Sequence, residues 1–279
     1  KLLLGAARRL SGGGGDPVVE LQTNFGGGKT HSLIALYHLA CGRAPGELPG
    51  VAELLAEESI VLPDKINRAV FVGQMVSPAA PRIADDGTAI HTIWGDIAHQ
   101  LGGKAGYALV EADDLAGTNP GAKLRELFKT FGPAVVLIDE WVAYARQLPT
   151  TEDAPRLAGG DFDTQFTFAQ ALTEAAAAVD DVVVLVSIPA SDIEVGGERG
   201  RDALERLKNV VTRKAAQWQP ASPDESFEIV RRRLFDPITP EQARVRDGVI
   251  RAFSDFYRDR PKDFPTGVSE AEYRRRMEL

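Results

Sequence analysis

Four stretches of the chain are predominantly apolar and short enough to be strands. They are Val18-Val19-Glu20-Leu21, Ala69-Val70-Phe71-Val72, Ala134-Val135-Val136-Leu137-Ile138 and Val182-Val183-Val184-Leu185-Val186-Ser187-Ile188. Runs without polar alternation suit parallel strands covered on both faces. Between them the apolar spacing turns helical. Residues 33–41 predict a helix, as do 51–58, 90–101 (Ile93, Trp94, Ile97 and Leu101 on one face), 121–131 after Asn119-Pro120, and 164–179 capped by Asp163. Residues 42–50, 77–87 and 150–160 read as loops. Strands alternating with helices predict an α/β fold around a mainly parallel sheet, a three-layer α/β/α sandwich.

Past residue 210 the pattern changes. Val210-Val211-Thr212 predicts the start of an edge strand running to Trp218 and ending near Pro220. Charged helices are then expected over 226–235, 240–258 and 270–279. Arg231-Arg232-Arg233 is read as a solvated helix face in preference to a phosphate or nucleic-acid contact. The expected organisation is a core over 1–220 and a small helical lid over 221–279, the lid truncated at its C-terminal end.

The turn after the first strand carries the chemistry. Phe25-Gly26-Gly27-Gly28-Lys29-Thr30-His31 joins that strand to an apolar helix. Strand, glycine-rich turn, Lys-Thr and helix together describe a phosphate-binding loop. Glycines let backbone N–H groups converge on phosphate oxygens, and the helix N-terminus adds positive potential. Lys29 is expected at the β- and γ-phosphates and Thr30 on Mg²⁺. The general pattern has glycine five residues before Gly28, where this chain has Thr23. A β-branched residue there predicts a strand one residue longer, leaving the three glycines to supply the turn.

A second motif completes the set. The run from Ala134 to Ile138 ends in Asp139-Glu140, at the carboxyl end of a buried strand, where open α/β sheets bind ligands. Asp139 is expected to hold Mg²⁺ through water, and Glu140 to polarise the attacking water as general base. Ser187, near the tip of the next strand, is placed either to contact the γ-phosphate or the water, or to bond its own turn. Absence of Asn-Lys-x-Asp argues against guanine specificity. A carboxylate placed to activate water argues against a metabolite kinase.

Composition narrows the setting. The chain has 279 residues, long enough for one large core and an appendage. Its formal net charge of −8 argues against broad electrostatic capture of nucleic acid or anionic membrane, and DNA is neither required nor excluded as a partner. One cysteine, Cys41, permits no internal disulfide, so a reducing cytoplasm is expected. No apolar run approaches the roughly 20 residues of a membrane span.

These motifs resemble the additional-strand, catalytic-glutamate class of ATPases, with a trailing helical unit like that of the AAA+ branch. Phe25 to Ser32, Leu137-Ile138-Asp139-Glu140-Trp141-Val142-Ala143-Tyr144-Ala145-Arg146, Phe162-Asp163-Thr164-Gln165-Phe166, Ser187-Ile188-Pro189-Ala190-Ser191 and Phe227 to Leu234 are similar, more specifically, to the prokaryotic domain-of-unknown-function 499 family. The resemblance implies a large ATPase, often encoded beside DNA methyltransferases in phage-defence or restriction-like loci, acting as a homo-oligomer or within a larger complex. It leads to an expected Mg²⁺-dependent ATPase module. The alternatives are an ATP-dependent switch or scaffold with little turnover, and a DNA translocase or remodeller. Glu198-Arg199-Gly200-Arg201 is read as a glycine-rich loop from which Arg201, Arg199 or the later Arg213 either reaches a neighbouring subunit's nucleotide or is solvated beside acids.

Overall fold

The computed structural model describes residues 1–23, 28–150, 157–190, 195–218, 231, 234–260 and 263. Five parallel strands form the central sheet: β1 (Val18–Thr23), β2 (Asn67–Val72), β5 (Ala134–Asp139), β6 (Val182–Pro189) and β7 (Ala215–Trp218). Their order is β2-β5-β6-β1-β7. Every residue of β5 and β6 is buried, as their apolar runs require. β1 extends through Thr23, as the β-branched residue predicted. β6 lies between β1 and β5, pairing Leu21 with Ser187 and Leu137 with Leu185. β7 sits at the edge beside β1. β3 (Arg82–Ile83) and β4 (Ala89–Ile90) form a small hairpin where a loop was expected.

Helices cover both faces. α1 (Leu2–Leu10), α2 (Lys29–Leu39) and α3 (Val51–Glu57) cover one. There Leu2, Ala7, Leu36, Leu39 and Leu55 pack with Val135, Leu137, Val183 and Leu185. α4 (Ile93–Ala116), α5 (Lys123–Phe131), α6 (Trp141–Ala145), α7 (Phe162–Ala177) and α8 (Gly197–Val211) cover the other. There Ile97, Phe128, Trp141, Phe168 and Leu207 meet Val136, Ile138, Val184 and Val186. The alternation of neighbouring strand residues between two cores is the period-two signature of a strand buried twice.

Several expectations need correction. α1 was not predicted. It is amphipathic, and its Arg9 is buried, with Nε donating to Val182 O at 3.1 Å and Nη2 to Ala176 O at 3.0 Å and to Val179 O. A guanidinium at the carbonyl-rich end of α7 meets the negative end of that helix dipole. The predicted helix over 90–101 begins instead after the cap Thr92 and continues, through a break at Gly103 (φ 57°, ψ −145°), to Ala116. The two halves of α4 pack so closely that a Cβ on Gly106 would lie 2.3 Å from Ala98 O. Asp161, not Asp163, caps α7, accepting from Thr164 N at 2.8 Å. Residues 197–211, expected as a loop and the start of a strand, are helix α8, and β7 begins only at Ala215.

Chain contacts divide the molecule into residues 1–220 and 221–279. Within the second unit, α9 (Pro240–Arg258) has a reciprocal cap: Gln242 N donates to Thr239 Oγ1 and Thr239 N to Gln242 Oε1. The expected helix over 270–279, and that over 226–235 except Arg231 and Leu234–Phe235, lie outside the described residues. Among the described residues no helix is long and apolar enough to cross a membrane.

Candidate functional site

Of the residues that the sequence singled out, Thr30, Asp139, Glu140 and Ser187 converge at the carboxyl ends of β1, β5 and β6. Gly28 caps α2 in the left-handed conformation (φ 83°, ψ 14°), which glycine adopts without a Cβ penalty. Its carbonyl accepts from both Ser32 N and Ser32 Oγ at 3.0 Å, closing the first helical turn. Lys29, half-buried, and Thr30 open α2 directly after it. The early N–H groups of this 11-residue helix and the Lys29 ammonium form a positive end suited to an anion. His31 is exposed on the same first turn. Phe25, Gly26 and Gly27 lie outside the described residues.

Asp139 is the hub. It is buried at the end of β5, and both of its carboxylate oxygens accept hydrogen bonds. Oδ2 accepts from the Thr30 hydroxyl at 3.0 Å. Oδ1 accepts from Glu140 N at 3.1 Å and from the Ser187 hydroxyl. Thr30, Asp139 and Ser187 come from three neighbouring strand ends, because β6 is inserted between β1 and β5. Ser187 is buried and bonds Asp139, rather than only its own turn. Glu140 follows at once, partly buried and left-handed (φ 56°, ψ 34°), as the cap of α6.

The donor set fits a small hard cation. A carboxylate and a hydroxyl within 3.0 Å of each other are the oxygen ligands that Mg²⁺ takes when it shares its shell with water and phosphate. Among the described residues no group of three or more His, Cys, Asp or Glu forms a metal cage.

The arginines are arranged differently from expectation. Arg199 and Arg201 stand on α8, not in a loop. Arg199 is engaged within its own chain, donating to Leu148 O and lying 5.6 Å from the Phe162 ring centre. Arg201 is exposed, beside Glu198, Asp202, Glu205 and Lys208 on an open groove, and is not among the donors at Asp139. Arg213 is exposed in the turn before β7. Sequence reasoning overlooked Arg146, whose guanidinium donates to Val195 O at 2.6 Å. With Arg199 on Leu148 it ties the end of α6 to the start of α8 in both directions. The advance signals were its place six residues after Glu140 and at the end of the family-like segment that begins at Leu137.

The family model described as the DUF499 N-terminal domain matches residues 1–217, so the chain belongs to that family. No curated protein and no solved structure matches it.

Proposed function

We propose that this DUF499-family chain is a Mg²⁺-dependent ATPase module with a phosphate-loop nucleotide fold, working within a larger assembly. The observation that carries the proposal is the sharing of one buried carboxylate, Asp139, between the Thr30 and Ser187 hydroxyls. The strand order supports it further. β6 is the additional strand, lying between the strand that leads into Gly28-Lys29-Thr30 and the strand that ends in Asp139-Glu140.

Each residue then has a role. The α2 N-terminus and Lys29 bind the phosphates. Thr30 and Asp139 hold Mg²⁺, which when bound neutralises charge on the phosphate oxygens. Glu140 orients a water and takes its proton. Ser187 fixes the Asp139 carboxylate. The test is release of inorganic phosphate from ATP by the purified protein with and without Mg²⁺, beside a direct measurement of ATP binding. Failure to bind ATP overturns the proposal; binding without turnover replaces hydrolysis by a nucleotide-dependent switch.

A further inference from the structure

Glu140 and Ser59 are the non-glycine residues with positive φ among the described residues. A left-handed glutamate is disfavoured by its Cβ, and it persists where the surroundings over-determine it. Here the surroundings are the end of the neighbouring strand. Val72, the last residue of β2, pairs with Asp139. Gly73 follows, and its N–H donates to Asp139 O at 2.9 Å. Its φ is not positive, so backbone freedom does not explain the glycine. Space does. A Cβ on Gly73 would lie 2.1 Å from Glu140 O, 2.9 Å from Glu140 C and 2.9 Å from Tyr144 Cβ.

The nearest obstructing atoms, Glu140 O and C, are backbone and cannot step aside as the far end of a flexible side chain would. The Glu140 carbonyl is also tied to α6, since Tyr144 N donates to it at 3.3 Å. Tyr144 is itself buried edge-on against Phe71 of β2, with ring centres 5.0 Å apart. The peptide after Glu140 is thus enclosed between the tip of β2 and the first turn of α6. The left-handed turn it fixes sets the direction in which the Glu140 side chain leaves the backbone.

We infer that Gly73 is a positioning residue for the Glu140 carboxylate: its missing side chain is the seat of the left-handed Glu140 turn. This rests on the reading of Glu140 as the general base. Any side chain at 73 pushes the Glu140 peptide away from β2 and re-aims the carboxylate. Thr30 and the α2 N-terminus, on the far side of Asp139, are left in place. A misplaced base on an intact nucleotide site loses kcat with little change in KM.

The test is Gly73→Ala in the otherwise unaltered protein, alone and combined with Glu140→Gln. Expected is a fall in kcat of about 10-fold or more, with ATP affinity within about twofold of wild type. In the Glu140→Gln background, Gly73→Ala should change turnover by less than about twofold, because a residue acting only through the base has nothing left to act on. Should Gly73→Ala not fold, Phe71→Leu loosens the same β2–α6 contact from below. It should give a smaller kcat loss that also vanishes beside Glu140→Gln. Wild-type kcat in a folded variant, or an equal loss in both backgrounds, overturns the inference. If Glu140→Gln itself leaves turnover intact, the assignment of the base has failed and this inference falls with it. If Glu140→Gln abolishes turnover while Gly73→Ala is silent, only the role of Gly73 is lost.

Discussion

The Thr30 hydroxyl donates to Asp139 Oδ2 across 3.0 Å, although 109 residues separate the two in the chain. Thr30 lies on the first turn after the glycine run and Asp139 at the tip of β5, so the bond measures how closely α2 approaches the buried acid. If both ligate Mg²⁺, removing either should weaken the metal dependence more than nucleotide binding as such. Thr30→Ala and Asp139→Asn are expected to raise the Mg²⁺ concentration needed for half-maximal turnover by about 10-fold or more, while Thr30→Ser stays close to wild type. A titration of phosphate release against Mg²⁺ measures this. An unchanged midpoint in Thr30→Ala removes Thr30 from the metal site.

Lys29 and Glu140 should fail in different ways. Lys29→Ala takes a positive charge from the phosphates, so ATP affinity itself is expected to drop. Glu140→Gln keeps shape but not basicity; ATP should bind and remain uncleaved, with turnover down by about 10²-fold or more. Equilibrium binding beside steady-state turnover separates the two. Wild-type turnover in Glu140→Gln removes Glu140 as the base.

The parts legible in the sequence were those whose residue pattern and role coincide. β5 and β6 read as buried strands because each of their residues is buried, and Asp139 and Ser187 stood out as polar residues near the ends of such runs. Glycine misled elsewhere, because it served packing rather than turns. Gly200, taken as part of a loop, lies within α8, where a Cβ would meet Val195 O at 2.3 Å. Gly95 opposes the Asp114 carboxylate in the same way. That carboxylate is fully buried and accepts from Thr92 N at 2.8 Å, from Tyr107 Oη at 2.8 Å and from His91 N at 3.0 Å. Such long-range satisfaction of a polar residue leaves no local pattern, and sequence alone assigned nothing to the second half of α4.

Arg9 illustrates the same point in energetic form. Its guanidinium satisfies carbonyls at the end of α7 and the start of β6 from a helix more than 150 residues earlier. Arg9→Met keeps most of the apolar stem but leaves buried acceptors without donors. Each unsatisfied buried group costs about 1–3 kcal/mol, so a destabilisation of about 3 kcal/mol in denaturant unfolding is expected. Arg9→Lys should recover only part of it, having no fork of donors. A loss under about 0.5 kcal/mol for Arg9→Met would mean that solvent takes over these carbonyls.

Glu20 supplies a test through pH. It is fully buried in β1, with the Thr212 hydroxyl donating to its Oε2 at 3.0 Å and its Oε1 without a hydrogen-bond partner among the described residues. Burial pushes its carboxyl above the ordinary glutamate range, and the opposing pulls of Thr212, Lys208 and Gln217 are smaller. Between the unfolded and the folded pKa, the native state keeps a proton that the unfolded chain has released. The native state therefore binds more protons there, and stability falls as pH rises through that window. Below the unfolded value, near 4.5, both states are protonated and the contribution vanishes. Glu20→Gln is neutral throughout and removes this penalty while leaving an acceptor for Thr212. The variant should match wild type within about 0.5 kcal/mol near pH 4 and become progressively more stable than wild type toward pH 8. Unfolding curves across that range measure the difference. A Gln variant that loses stability relative to wild type as pH rises would show Glu20 to be a stabilised carboxylate, held ionised by Lys208 and Thr212 rather than neutralised by burial.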